Sequence, residues 1–256
     1  MKTIAIANHK GGVGKTAITQ NLGAGLAAAG CKVLLCDLDL QASLTKACGI
    51  NDPVLSMADV IGDSKPGKAK ITDAIINISP NLDIIPADIA LSACELGLVQ
   101  RLGRETVLKN ALAKVSKQYD IVLLDCPPAL SLMTVNALIA ANGVIIPTQP
   151  QTPDLRGVTI FLDTIEQIKP LNPNLELLGI LVTFYDPRLT HHNEAIAAII
   201  AAKLPLLPVY IGRSIRFPEA MGAGVPLAAF DPNNQAVTAF KKLTEVIVKW
   251  LRNPQD

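Results

Sequence analysis

The chain has 256 residues, half of them hydrophobic and 18% charged, a balance that describes a globular protein and argues against disorder. Its 23 Lys and Arg nearly cancel its 22 Asp and Glu, so net charge supplies no attraction to DNA or an acidic membrane, and any such binding requires a local basic patch. No apolar run reaches the ~18 residues of a membrane-spanning helix and no signal peptide precedes the first apolar segment, so a soluble, cytoplasmic protein is expected.

Short apolar runs alternate with longer segments of helical periodicity along the whole chain. Strands are expected at 3–7, 32–37, 82–86, 120–124, 143–148, 177–184 and 207–211, and helices at 15–29, 104–117, 132–140, 157–168, 191–203 and 236–251. The stretch 49–70, with Pro53, Gly62, Pro66 and Gly67, reads as a surface loop carrying one short helix. Strands apolar on both faces and separated by helices specify an α/β fold, a doubly wound, mostly parallel sheet flanked by helices on both faces. There is no long linker, repeat or low-complexity tract. One domain over 1–256 is expected, with no N-terminal helix-turn-helix module before the first strand. Five cysteines (Cys31, Cys36, Cys48, Cys94, Cys126), without C-x-x-C spacing, read as reduced and mostly buried thiols.

The first strand runs into HKGGVGKT, residues 9–16, close to the phosphate-loop pattern G-x-x-x-x-G-K-[ST] but with His9 at the first glycine position and an added Lys10. Such a loop points successive backbone N–H groups at phosphate oxygens, backed by the positive end of a helix dipole. Gly11, Gly12 and Gly14 supply the positions where backbone turns tightly or approaches phosphate, with Val13 among them. Lys15 is placed for the β- and γ-phosphates, Thr16 for Mg²⁺, and Ala17 follows at the helix start. YDIVLLDCPP is an apolar strand ending in Asp125, the carboxylate that holds a magnesium shell in the Walker B pattern. KVLLCDLDLQ is a second strand ending in two acids, Asp37 and Asp39, which share one face by period-2 alternation. Two acids at a strand end are often solvated turn formers; beside a magnesium nucleotide, one of them can instead orient the attacking water.

KGGVGKT, DLDLQ and LLDCPP followed by MTVNAL together closely resemble the ParA/MinD group of deviant-Walker P-loop ATPases, the ParA/Soj branch above all. The likeness continues through VTFYDPR and RSIRFPEAMGAGVP, covering nearly the whole chain. The resemblance implies an Mg²⁺-dependent ATP hydrolase, slow and partner-stimulated, that forms a homodimer around two ATP molecules. Lys10 is then the signature lysine, contacting the partner subunit's nucleotide. Lys15 and Thr16 keep their ordinary roles, Asp39 positions the hydrolytic water, Asp125 is the Walker B acid, and Asp37 supports magnesium through water. Ala17 departs from the usual hydroxyl residue and lacks its contact to the α-phosphate. Leu40 replaces the usual proline, implying a less rigid turn after Asp39. Gly212 replaces a proline near the expected adenine pocket.

Members of this group differ in what the ATP switch acts on. The ParA-like reading is non-specific DNA binding, with the nucleoid as location, a ParB or carboxysome-type adaptor as stimulating partner, and a partition complex or an organelle such as the carboxysome as cargo. Arg188, Arg213 and Arg216 sit where ParA/Soj relatives carry DNA-binding basic residues, and Lys203, Lys241 and Lys242 extend the patch in a dimer. The MinD-like alternative is membrane association through 236–251, whose apolar stripe equally suits a helix docked on the sheet, and no stable membrane insertion is expected. An iron–sulfur reading fails for want of a second cysteine at ligand spacing to Cys94 or Cys126. His191 and His192 are neighbours on a helix, which suits surface or capping roles better than a metal pair.

Overall fold

The computed structural model describes residues 1–252, with the backbone alone for 152–156. Eight strands are found: β1 (Lys2–Ile6), β2 (Val33–Asp37), β3 (Ile76–Ser79), β4 (Leu82–Ile85), β5 (Ile121–Asp125), β6 (Gly143–Thr148), β7 (Glu176–Tyr185) and β8 (Leu206–Gly212). They form one sheet in the order β3-β4-β2-β5-β1-β6-β7-β8, parallel throughout except for the antiparallel β3–β4 edge pair. The helices are α1 (Lys15–Ala28), α2 (Ser43–Ala47), α3 (Met57–Ile61), α4 (Ala90–Leu98), α5 (Val107–Ala113), α6 (Leu132–Ala140), α7 (Thr152–Ile168), α8 (Thr190–Ala201), α9 (Arg216–Gly222), α10 (Leu227–Phe230) and α11 (Gln235–Arg252), with a 3-10 turn at Ile71–Ala74.

Strand periodicity explains the two layers. Ile4, Ile6, Val33, Leu35, Ile121 and Leu123 point into the core beneath α1 and α11, while Ala5, Ala7, Leu34, Cys36, Val122 and Leu124 point into the core beneath α5, α6 and α7. Strands buried on both sides therefore read as continuous apolar runs. The helix after β1 covers one face and the helix after β5 the other. The chain thus departs in opposite directions from adjacent strands, opening a crevice at their C-terminal ends.

Six short elements escaped the sequence reading: β3, α2, α4, α9, α10 and the 3-10 turn. β3 is a four-residue, half-exposed edge whose Asn77 bonds Asp83, too short and polar to separate from a loop. α2 has five residues. α4 buries Leu91, Cys94 and Leu98 at helical spacing, but the equally apolar Leu96 is exposed, which blurs its 3.6 period in the sequence. The helix expected over 104–117 is regular only over 107–113, because Lys114 and Val115 donate to carbonyls three residues back and tighten its end. α7 starts earlier than the expected 157, with proline in its first turn.

α11 docks with Phe240, Leu243 and Ile247 buried against α1 and β8 and with Val237 buried beside Ala220 and Leu227, so the apolar stripe that suited a bilayer is occupied within the fold. No described helix is long and apolar enough to cross a membrane. Close approach of α1 to α11 depends on Gly25, where a Cβ would lie 2.3 Å from Thr244 Oγ1. Gly25→Ala is therefore expected to destabilise by about 1–2 kcal/mol, overpacking outweighing alanine's helix preference. Thr244→Ala in that background is expected to recover most of the loss, a coupling readable by urea unfolding of the four-protein cycle.

Candidate active site

Residues 7–14 turn from the end of β1 into α1. Gly14 stands at the helix N-cap with φ 89°, Gly12 has φ 72°, and no side chain caps the helix, so its amides and positive dipole end remain for an anion. Contacts from distant strands hold the loop. Asn8 accepts from the Lys10 amide (3.0 Å) and donates to the Pro147 carbonyl (2.6 Å). Gln149 Nε2 donates to the Gly12 carbonyl at 3.0 Å, and the buried Thr183 hydroxyl lies 3.0 Å from the Val13 carbonyl and 3.1 Å from that of Thr148. His9 rests edge-on against Phe161 of α7, ring centroids 5.0 Å apart, with Nε2 3.4 Å from Thr164 Oγ1. Burial pushes its imidazole pKa down, so the neutral form is favoured. The residue at the missing-glycine position is thus a packing anchor for the loop.

The two lysines of the loop occupy opposite environments. Lys15 is buried and donates to its own loop, to the carbonyls of Lys10 (2.8 Å) and Asn8 (3.3 Å). Burial lowers its pKa, opposed by the charge of Asp125. Lys10 is exposed. Gly11, Gly12, Gly14, Lys15, Thr16 and Ala17 line a cavity of about 490 Å³ that also reaches Asp39. Ile211, Gly212, Arg213, Phe217, Met221 and Phe240 also line it. A wall of loop amides together with an apolar wall suits a nucleotide's phosphates and base. Phe184, in the left-handed region at φ 53°, also lines this cavity beside Gly14.

The acids converge as their spacing required. Asp125 pairs in register with both Ile6 and Asp37, so two carboxyls lie side by side at buried strand ends. The Thr16 hydroxyl donates to Asp125 Oδ2 at 2.8 Å, and the Thr19 hydroxyl lies 3.4 Å from Oδ1. Burial drives the Asp125 pKa well up, with Asp37 adding to the shift. Asp37 is raised to about 6, chiefly by burial, against the lowering effect of the Thr45 amide and hydroxyl. Such a pair favours a nearby cation, and the Thr16 hydroxyl beside Asp125 is a donor set that suits magnesium. Among the described residues no three His, Cys, Asp or Glu side chains cluster as a metal site. That fits an ion whose remaining ligands are water and phosphate. Asp39, half-buried, donates its amide to Asp37 Oδ1 (3.1 Å) and accepts from the Gln41 amide (3.0 Å). Around Leu40, where a less rigid turn was expected, these bonds and Ala42 N–H to Asp39 O (2.8 Å) close the turn without proline.

The three arginines lie on the loop after β7, the loop after β8 and the start of α9, but two carry partners. Arg188 makes a two-point pair with Asp186 (2.9 and 2.7 Å), and Arg216 bonds Glu219 (2.5 Å) and Asp231 (3.4 Å). Arg213 lines the nucleotide-shaped cavity. His192 is buried and accepts from the Asp186 amide at 3.1 Å, whereas His191 is exposed. None of the five cysteines is in a disulfide, and four of them are buried. The sequence reading missed Asn8, Thr45, Gln149, Thr183 and Phe184, which act through contacts with residues far away in the chain.

The AAA domain family model AAA_31 matches residues 1–177. The chain is 38% identical over 254 residues to the sporulation initiation inhibitor protein Soj of Bacillus subtilis, covering 96% of this chain and 98% of Soj. It is 37% identical over 261 residues to the chromosome partitioning protein ParA of Caulobacter vibrioides, covering 100% and 97%. Among solved structures it is similar to cobyrinic acid a,c-diamide synthase from Mycobacterium smegmatis with bound ATP analog and magnesium, with TM-score 0.89, 34% identity and coverage of 99% and 96%.

Because Asp37 and Asp125 have raised pKa values, the folded chain holds protons that the unfolded chain has already released between about pH 4 and 6. Stability without ligand is therefore expected to fall as pH rises through that window. Asp186, held down to about 2 by Arg188, acts in the opposite sense but below it. Thermal unfolding should give a higher Tm at pH 5 than at pH 7.5. Asp125→Asn should raise Tm at pH 7.5, flatten the difference, and weaken magnesium-dependent nucleotide binding by about tenfold or more, measured by calorimetry.

Proposed function

Because the chain belongs to the ParA/Soj branch of the ParA/MinD deviant-Walker ATPases, we propose that it is an ATP-driven dimerisation switch that positions or segregates a cargo over DNA. ATP is the substrate. The loop amides and Lys15 bind its phosphates, and the apolar wall of the cavity receives the base. Thr16 and Asp125 would hold magnesium, with Asp37 behind them, and the bound ion would supply charge neutralisation to the phosphates. Asp39 orients the attacking water. Hydrolysis is slow until an adaptor of ParB or carboxysome-adaptor type stimulates it.

One observation carries the dimer reading: Lys15 is buried against its own loop while Lys10 stands exposed on the same loop. An exposed cation on a phosphate cradle can serve a neighbour's nucleotide and so make pairing depend on ATP. Non-specific DNA is the surface the dimer acts on, by relation to proteins named for chromosome partitioning. Arg213 makes no ion pair among the described residues, whereas Arg188 and Arg216 exchange a carboxylate for a phosphate on binding. Burial of the α11 stripe favours DNA over a membrane. The synthase activity of the Mycobacterium smegmatis protein is not carried over, since identity to Soj and ParA is higher.

Lys10→Ala is expected to bind ATP within about twofold of the parent but to remain monomeric with ATP in analytical ultracentrifugation; full dimerisation with normal turnover removes the trans role. Asp39→Ala is expected to bind ATP normally and lower kcat by about a hundredfold. Sedimentation with ATP should pull the protein down with non-specific duplex DNA, more weakly as salt rises. Pelleting with anionic liposomes alone overturns the DNA reading.

A further inference from the structure

The turn that carries Asp39 is built on a side chain the ATPase chemistry does not use. Thr45, on α2, is 1% exposed. Its amide and its hydroxyl both donate to Asp37 Oδ2, at 2.9 and 2.7 Å, and the same hydroxyl accepts from the Ala87 amide at 2.9 Å. The other Asp37 oxygen accepts from the Asp39 amide at 3.1 Å. One continuous chain of bonds therefore runs Ala87–Thr45–Asp37–Asp39. It joins the segment leading from β4 into α4 to the acid at the mouth of the cavity.

Two further features make this chain consequential. Ala42, between Asp39 and α2, holds the left-handed conformation at φ 53°, which a residue with a Cβ keeps only when its surroundings enforce it. Thr45 supplies that enforcement, because its two bonds to Asp37 pin the first turn of α2 to the end of β2. A threonine hydroxyl offers one donor and two acceptor sites, and here donor and acceptor are both used in a buried setting. Three donors already converge on the Asp37 carboxylate. Asp37 thus acts first as the hub of the turn, and its service to a metal is secondary.

We propose that Thr45 is the positioning residue for Asp39: by fixing Asp37 and α2 together, it sets the place of the water-orienting acid without touching nucleotide. The proposal rests on the reading of Asp39 given above. Valine at 45 keeps the shape and the amide bond but removes the hydroxyl from both Asp37 and Ala87. Serine keeps the hydroxyl and loses only a methyl.

The test uses the full chain with Thr45→Val, Thr45→Ser, Asp39→Ala and the Thr45→Val/Asp39→Ala double variant, with Thr45→Ala as second probe should valine fail to fold. Steady-state ATP hydrolysis, magnesium–ADP affinity and Tm are measured on each. Thr45→Val is expected to lower kcat by about tenfold or more while KM and ADP affinity stay within about twofold. Serine should restore kcat. Because Thr45 acts through Asp39, the double variant should be no slower than Asp39→Ala alone. Normal kcat in Thr45→Val, failure of serine to rescue, a parallel loss of ADP affinity, or additive losses in the double variant each overturn the positioning role. If Asp39→Ala itself hydrolyses ATP normally, the reading of Asp39 has failed and takes this proposal with it; if it is slow while Thr45→Val is normal, only the proposal fails.

Discussion

Two carboxyls held side by side at the buried ends of adjacent strands are the constraint around which the site is built. Parallel pairing puts Asp37 opposite Asp125 in register, at 0% and 1% exposure. Like charges so placed resist ionisation, and the isolated pair is a source of instability that the fold must manage. It does so with hydrogen bonds from Thr16 and Thr45, with the Lys15 ammonium nearby, and by leaving a cavity at the same edge for a cation and an anion of higher charge. Ligand bound at this site would stabilise the fold by linkage.

The phosphate loop answers the same constraint from the other side. Its backbone is tied by Asn8, Gln149 and Thr183 to strands on the far side of β1, and by His9 to α7, so little reorganisation is needed to receive phosphate. Lys15 rests on loop carbonyls in the meantime, its charge partly stabilised by Asp125. Lys10 shares none of that burial. The loop thus carries one lysine folded into it and one exposed on it.

Much of the fold was legible because it is locally encoded. The runs IAIA and VLLC are apolar at every position since both faces of the sheet are covered, and that pattern specified the parallel α/β class. The glycines, Lys15, Thr16 and Asp125 were recognisable because phosphate chemistry demands those types at those spacings. α4 was illegible for the complementary reason: Ile89, Leu96 and Val99, in and beside it, are apolar but exposed, which blurs the period that marks its buried face. The arginines were readable as residues but not as charges, since the ion pairs of Arg188 and Arg216 are visible only in space.

By itself, then, the sequence determined the candidates: a glycine-rich loop of the phosphate-binding pattern, the acids at two strand ends, and a second lysine beside the first. Only the tertiary structure decided how those groups are held. Gln149 reaches Gly12 across 137 residues and Thr183 reaches Val13 across 170. Thr45 bonds Asp37 eight residues earlier but matters because Ala87, from another strand end, completes the link. The physical reason is one of range. Backbone periodicity and motif spacing act over a few residues, whereas the order of strands in the sheet, which sets every contact that steadies the site, is a property of the whole packed core.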